Sequence, residues 1–137
     1  MNNTKRFLPT SALAFGLVMA PAPAFSHHAF SAEYDVKKPI TLTGTVTKIE
    51  WTNPHARFYV NVTGADGATT EWDFELASPN GLMRRGWSRA SIKPGDVVTV
   101  VGYLAKDGSK MANARSVTMS DGRKIFAGTP DDGGPTQ

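Results

Sequence analysis

A chain of 137 residues has room for one domain, because domains cluster at about 100–150 residues. It carries 15 Lys and Arg residues against 12 Asp and Glu residues, and it contains no cysteine. The lack of cysteine excludes disulfides, zinc–thiolate sites, c-type haem attachment and a thiol nucleophile.

The first 26 residues are typical of an export signal. Lys5 and Arg6 precede an uncharged stretch that is too short and too often interrupted by proline to span a bilayer, but that suits a secretory signal peptide. Small residues permit cleavage before Phe25 or before His27, and the second cut would leave a histidine with a free α-amino group. We therefore expect a periplasmic or secreted protein with no membrane span after cleavage.

The charge pattern makes a nucleic-acid partner unlikely on sequence grounds. Residues 1–26 hold two of the basic residues and no acidic ones, so the remaining chain has 13 basic against 12 acidic residues, a formal charge of +1. No basic stripe remains that could neutralise a run of phosphates.

Alternating apolar residues predict three strands after a polar segment at 27–39. The strands cover residues 40–51, 57–64 and 69–78. Gly44 within the first strand predicts a bulge or sharp bend, and the Ala-Asp-Gly sequence at 65–67 predicts a hairpin turn.

The third strand separates apolar from acidic side chains. Its pattern places Trp72 and Phe74 on the core face. Glu71, Asp73 and Glu75 alternate with them, and this alternation predicts that the three carboxylates form an ordinary solvent face.

A short helix and further strands complete the predicted domain. Ser78 can cap the helix, Pro79 suits its first position and Gly86 ends it, so we predict a helix within 78–87. Further strand patterns lie within residues 92–109 and 110–128, with an Asp-Gly turn at 121–122, and residues 129–137 are predicted to be a disordered tail.

This order of elements predicts an all-β fold with one short helix. Three strands, a helix and further strands are the order of a small OB-fold-like Greek-key β-barrel, which we assign to residues 27–128. An open β-sandwich with a similar number of strands has the same pattern.

Five segments of the chain resemble an uncharacterised family of short exported bacterial proteins, a domain-of-unknown-function family. The segments are HHAFSAEYD, VTKIEWTNPHARFYV, FELASPNGLMRRGW, KPGDVVTVVGY and ANARSVTMSDGRKIFAG. The resemblance implies an exported small β-barrel but no biochemical activity. An alanine commonly precedes the His-His pair in that family, whereas this chain has Ser26, which is also small enough for signal cleavage.

The three histidines of the chain predict a transition-metal site. Imidazole nitrogens bind copper and zinc, and His27 at a free N-terminus could chelate an ion through its amine and its ring, with His28 and His55 as further ligands. No methionine-rich tract accompanies them, which favours a nitrogen-ligated Cu(II) or Zn site. The alternatives are a solvated His-His pair and a structural role for His55 in the Asn-Pro-His turn.

A second set of residues could bind a ligand without a metal. Arg84, Arg85 and Trp87 combine phosphate-binding groups with a ring that could stack on a base or sugar, and Asn53 could donate from a neighbouring loop. The alternatives are that Trp87 fills the barrel beneath the helix and that Asn53 stabilises its own loop.

The sequence therefore predicts a small exported binding protein rather than an enzyme. It has no nucleophile elbow, zinc-protease helix, phosphate-binding loop or dinucleotide fingerprint. The leading hypothesis is copper or zinc binding through His27, His28 and His55, with no other cofactor. One alternative is an interaction module that binds an unidentified protein, peptide or small molecule on the face of strands two and three. Another is an oligonucleotide or saccharide binder that uses Trp87 and its neighbouring arginines.

Overall fold

The computed structural model describes residues 30–128, which form six strands and one helix beyond a helical turn at 30–33. The elements are β1 (Tyr34–Glu50), β2 (Arg57–Thr63), β3 (Thr69–Glu75), α1 (Pro79–Arg84), β4 (Val97–Ala105), β5 (Met111–Met119) and β6 (Lys124–Phe126). None of the helical segments in this part of the chain is long and apolar enough to cross a membrane.

Five of the strands close into a barrel. The sheet order is β3-β2-β1-β4-β5-β6, and β3 also pairs in parallel with β5, with Phe74 opposite Ala112. This ring, with α1 between β3 and β4, is the topology of an OB-fold. The predicted OB-type β-barrel is confirmed, and the closure by β3 and β5 excludes the open sandwich.

The long strand β1 belongs to both halves of the barrel. Residues 39–45 pair with β4, and residues 45–50 pair with β2 with an irregularity between Val46 and Lys48. Gly44 lies where β1 passes from one partner to the other, and a Cβ atom there would lie 2.2 Å from the carbonyl oxygen of Asn61. Because glycine has no side chain, β1 can approach the backbone of β2 this closely, as the curvature of the barrel requires.

The start of β1 differs from the sequence prediction. Residues 34–39 were expected to be a polar segment before the first strand, but β1 already begins at Tyr34, which pairs with Ala105. The segment is strand because it bonds to β4 and buries the Tyr34 ring, although its side chains do not alternate in polarity. The predicted signal peptide at 1–26, the His-His pair and the predicted tail at 129–137 lie outside the described residues.

The helix begins at the position that its sequence predicts. The Ser78 hydroxyl accepts a hydrogen bond of 3.2 Å from the Gly81 amide, and Pro79 occupies the first turn. Gly86 has a φ of +87°, a left-handed conformation that glycine adopts readily after a helix end. Leu82 from α1 is fully buried and helps to fill the barrel.

The close packing at Gly44 leads to a stability prediction. Replacing Gly44 by Ala places a Cβ atom against the Asn61 backbone and the Val60 side chain, and we expect the free energy of unfolding to fall by about 2–3 kcal/mol. Gly64→Ala is the matched control, because the nearest atom to its added Cβ belongs to the movable Asp66 side chain. Urea unfolding of both variants measures the difference, and equal losses would contradict this role of Gly44.

Candidate functional site

His55 lies in the loop between β1 and β2 and contacts the end of β3. Its Nδ1 atom is 3.0 Å from Oε1 of Glu75. The neighbouring backbone is also bonded to this region: Ala56 donates to the Ala77 carbonyl at 3.1 Å, and Leu76 donates to the Ala56 carbonyl at 2.8 Å. Both backbone groups of Ala56, the residue after His55, are thus bonded to the segment that follows β3. These two bonds fix this end of the loop against the barrel.

Glu75 joins His55 to an arginine on the adjacent strand. Arg57 is directly opposite Glu75 in the β2–β3 register, and its Nη2 atom donates to Oε2 of Glu75 at 2.8 Å. Its Nη1 atom donates to Oδ2 of Asp73 at 2.6 Å. The Glu75 side chain is only 8% exposed, so these charged hydrogen bonds offset the loss of hydration.

The bond to Glu75 determines which nitrogen of His55 can act as a ligand. A carboxylate only accepts hydrogen bonds, so a neutral His55 ring that bonds to Glu75 would carry its proton on Nδ1. The lone pair would then be on Nε2. The His55 side chain as a whole is 49% exposed. Metal-binding histidines commonly have this arrangement, with the second ring nitrogen bonded to a carboxylate.

The first described residues pack beside this group. The Phe30 ring lies 5.5 Å from the Tyr34 ring and 6.5 Å from the Tyr103 ring, measured between centroids. The Lys106 amide donates to the Glu33 carbonyl at 2.8 Å. These contacts hold the N-terminal end of the described chain on the barrel.

Glu33 and Tyr34 lie close enough to Glu75 for its charge to act on their pKa values. Burial raises the pKa of Glu33 most, the charge of Glu75 raises it further, and Arg57 and His55 oppose the shift. Burial likewise raises the pKa of the buried Tyr34 hydroxyl, and the charge of Glu75 adds to it. We name His55, Arg57, Asp73, Glu75 and Tyr34 the His55 cluster.

The prediction of a solvent face on the third strand is wrong for two of its three carboxylates. Glu71 is exposed, but Asp73 is half-buried and Glu75 is buried, because Arg57 lies against both. Burial raises the pKa of Asp73 and Arg57 opposes that shift. The Asp-Gly turn offered a signal, since a hairpin centred on it places Arg57 opposite Glu75.

The other proposed metal ligands are not part of the described structure. His27 and His28 lie outside residues 30–128, whereas His55 lies within them. Among the described residues, no three His, Asp or Glu side chains are arranged to hold a metal ion. A metal site at His55 therefore needs ligands from elsewhere in the chain.

The residues predicted for metal-free ligand binding are dispersed. Asn53 is exposed in the His55 loop, and its bond to Pro54 is cis. Arg84 and Arg85 are exposed at the end of α1. Trp87 is 4% exposed, packs in the core and donates from Nε1 to the Phe126 carbonyl at 2.9 Å. Its ring thus fills the barrel, as the alternative interpretation expected, and presents no face on which a ligand could stack.

Comparison with known proteins gives a family and several similar solved structures. A sequence model of a family of unknown function matches residues 14–114. No curated protein matches the chain. The crystal structure of Rim1, the mitochondrial single-stranded DNA binding protein of S. cerevisiae, is similar over 61% of this chain and 93% of its own, with 9% identity and a TM-score of 0.48.

Removing the Arg57 guanidinium tests the energetic role of the cluster. Arg57→Met leaves the buried Glu75 carboxylate without its strongest partner, and we expect the free energy of unfolding to fall by about 2–4 kcal/mol. The double variant Arg57→Met, Glu75→Met also removes the buried Glu75 charge and should recover part of this loss, although Asp73 still lacks its arginine partner. Chemical unfolding of both variants measures the two effects.

Arg123 provides the control for this experiment. It pairs with Asp121 at 2.7 Å, but both side chains are exposed, so Arg123→Met should leave stability unchanged within error. A similar loss in the Arg57 and Arg123 variants, or no recovery in the double variant, would contradict a buried-charge role for Glu75.

Proposed function

Because the chain belongs to a family of unknown function (DUF6152), we propose its role from its own geometry: it is a small exported protein that binds a transition metal, copper or zinc, through His27, His28 and His55. In this proposal it acts in the periplasm as a carrier or accessory protein and not as an enzyme.

The observation that carries the proposal is the orientation of the His55 ring. Nδ1 lies 3.0 Å from Oε1 of Glu75, so with Nδ1–H directed at this carboxylate the unprotonated Nε2 would be the nitrogen available to an ion. A carboxylate partner of this kind fixes the ring orientation and raises the basicity of the ligating nitrogen. Arg57 balances the Glu75 charge, so this support does not require an unpaired buried carboxylate.

The short distance in sequence between the His-His pair and Phe30 supports a shared site. His28 precedes Phe30 by two residues, a span of at most about 7 Å in an extended chain. The Phe30 ring contacts the Tyr34 and Tyr103 rings of the barrel. In this proposal the segment before Phe30 brings the two histidines to His55.

The donor set suits Cu(II) or Zn. After cleavage before His27, the chain offers an amine and a ring nitrogen from one residue, together with the imidazoles of His28 and His55. It offers no thiolate, because the sequence has no cysteine. Neutral nitrogen ligands of this number favour Cu(II) or Zn over Cu(I).

Metal titration of the exported protein tests the proposal. We expect mass spectrometry to give His27 as the first residue, and calorimetry with Cu(II) to give one tight site per chain. Electron paramagnetic resonance of the loaded protein should show coupling to several nitrogens. His55→Ala should weaken the binding of Cu(II) by about tenfold or more, the loss of one ligand corresponding to about 1.4 kcal/mol at least.

Two controls distinguish this site from adventitious binding. Thr52→Ala changes an exposed neighbour in the same loop and should leave the affinity unchanged. One glycine added before His27 should remove the amine chelate and weaken the binding, although all imidazoles remain. If a triple His27→Ala, His28→Ala, His55→Ala variant binds Cu(II) and Zn(II) as tightly as the parent, the proposal is wrong and the metal-free interaction module replaces it.

A further inference from the structure

Asn80 and Gly81 form the only Asn-Gly sequence of the chain, and they lie in the first turn of α1. An asparagine before glycine loses its side-chain amide most readily, because glycine has no side chain to hinder attack by its backbone nitrogen. Asn80 is exposed, so water reaches its side chain. Neither residue belongs to the His55 cluster. The helix therefore carries a reactive pair whose chemistry the proposed metal site does not explain.

The reaction open to this pair is a ring closure followed by hydrolysis. The backbone nitrogen of Gly81 attacks the side-chain carbonyl carbon of Asn80, and a new nitrogen–carbon bond forms. The amide nitrogen of Asn80 takes up the proton that Gly81 loses and leaves as ammonia. Water then opens the five-membered succinimide at one of its two carbonyls, which gives either aspartate or isoaspartate. Water is the only co-reactant.

The Ser78 cap of α1 holds the attacking group in place. The Ser78 hydroxyl accepts a hydrogen bond of 3.2 Å from the Gly81 amide. A Cβ atom at position 81 would also lie 3.2 Å from this hydroxyl oxygen, so the two residues are closely packed. The Gly81 nitrogen must lose its proton and turn toward the Asn80 side chain before it can attack. The hydrogen bond opposes the first change and the helical backbone opposes the second, so the closed helix protects Asn80.

The helix α1 is too short to be stable by itself. It has six residues, whereas isolated helices shorter than about 12–15 residues are marginal in water. It is held by the burial of Pro79 and Leu82 and by a hydrogen bond of 3.0 Å from the Trp87 amide to the Leu82 carbonyl. Segments held by few contacts open locally at a lower free energy than global unfolding. The first turn of α1 can therefore open while the barrel stays folded.

We propose that Asn80 is a site of spontaneous deamidation, and that the opening of the Ser78-capped first turn of α1 sets its rate. The reacting group is the Asn80 carboxamide, and the products are ammonia and an acidic residue. The reaction places a carboxylate on the exposed face of α1 that also carries Met83 and Arg84. The inference does not depend on metal binding at His55.

The two acidic products have opposite consequences for α1. Positions 80 and 84 are four residues apart in the helix, so an aspartate at position 80 would be placed to pair with the Arg84 guanidinium. Isoaspartate instead adds a carbon atom to the backbone before Gly81. This addition breaks the three-residue spacing that brings the Gly81 amide to the Ser78 hydroxyl. Deamidation therefore either strengthens the helix or prevents its first turn from closing.

Peptide mapping of the intact, folded protein after incubation at mildly alkaline pH tests the inference. Trypsin cleaves after Arg57 and Arg84, so one peptide, residues 58–84, contains both Asn80 and Asn61, which precedes Val62. Fragmentation of this peptide locates the mass change of an amide converted to an acid. We expect conversion at Asn80 and not at Asn61. The rate should be at least about tenfold below that of the same chain unfolded in urea, because only the locally open state reacts.

Variants of the helix ends separate this mechanism from unprotected deamidation. Ser78→Ala should raise the rate at Asn80 about fivefold, which corresponds to the ~1 kcal/mol that a serine cap typically contributes. Gly86→Ala strains the other end of α1, where φ is +87°, and should also raise the rate although the Ser78 cap remains. Ser91→Ala is the matched control, because its hydroxyl accepts a hydrogen bond of 2.8 Å from the Ser88 amide beyond α1. It should leave the rate unchanged.

Three results would overturn the inference. They are equal rates at Asn80 in the folded and the urea-unfolded chain, an unchanged rate in both Ser78→Ala and Gly86→Ala, and an acceleration by Ser91→Ala equal to that by Ser78→Ala. Circular dichroism of each variant checks that the barrel is folded, so that a faster reaction reports the opening of α1 rather than global unfolding.

Discussion

The cluster of charged residues on this barrel depends on the carboxylate of Glu75, which is buried. The two oxygens of Glu75 bond to different groups, His55 from the loop before β2 and Arg57 from β2 itself. Without these partners the buried charge would be strongly unfavourable. The contacts of Glu75 therefore connect the loop before β2 with strands β2 and β3. They also place the His55 ring with Nδ1 facing the carboxylate.

The charged groups of the His55 cluster bond mainly to one another. Arg57 pairs with the carboxylates of Asp73 and Glu75, and these three side chains are buried or half-buried. The most exposed side chain of the cluster is therefore the His55 imidazole, at 49%.

Local signals predicted the barrel and its helix, but not the composition of the polar cluster. The Ser78 cap acts within one turn of the helix, so the sequence pattern detects it. Gly44 is detected as a glycine inside a strand pattern, although the backbone it approaches, that of Asn61, belongs to the next strand. The burial of Glu75 depends on residues that are distant in sequence. These are Arg57 on β2 and Tyr34 at the start of β1. Arg115 is an extra residue of β5 because the register of β4 and β5 shifts there, which side-chain alternation alone does not predict.

The tautomer of His55 tests the central claim most directly, because both the cluster and the proposed metal site require the Nδ1–H group of His55 to donate a hydrogen bond to Glu75. Long-range ¹H–¹⁵N NMR of the metal-free protein, at a pH where the imidazole is neutral, distinguishes the two ring nitrogens. The account predicts a protonated Nδ1 and an unprotonated Nε2. A ring with its proton predominantly on Nε2 would contradict it.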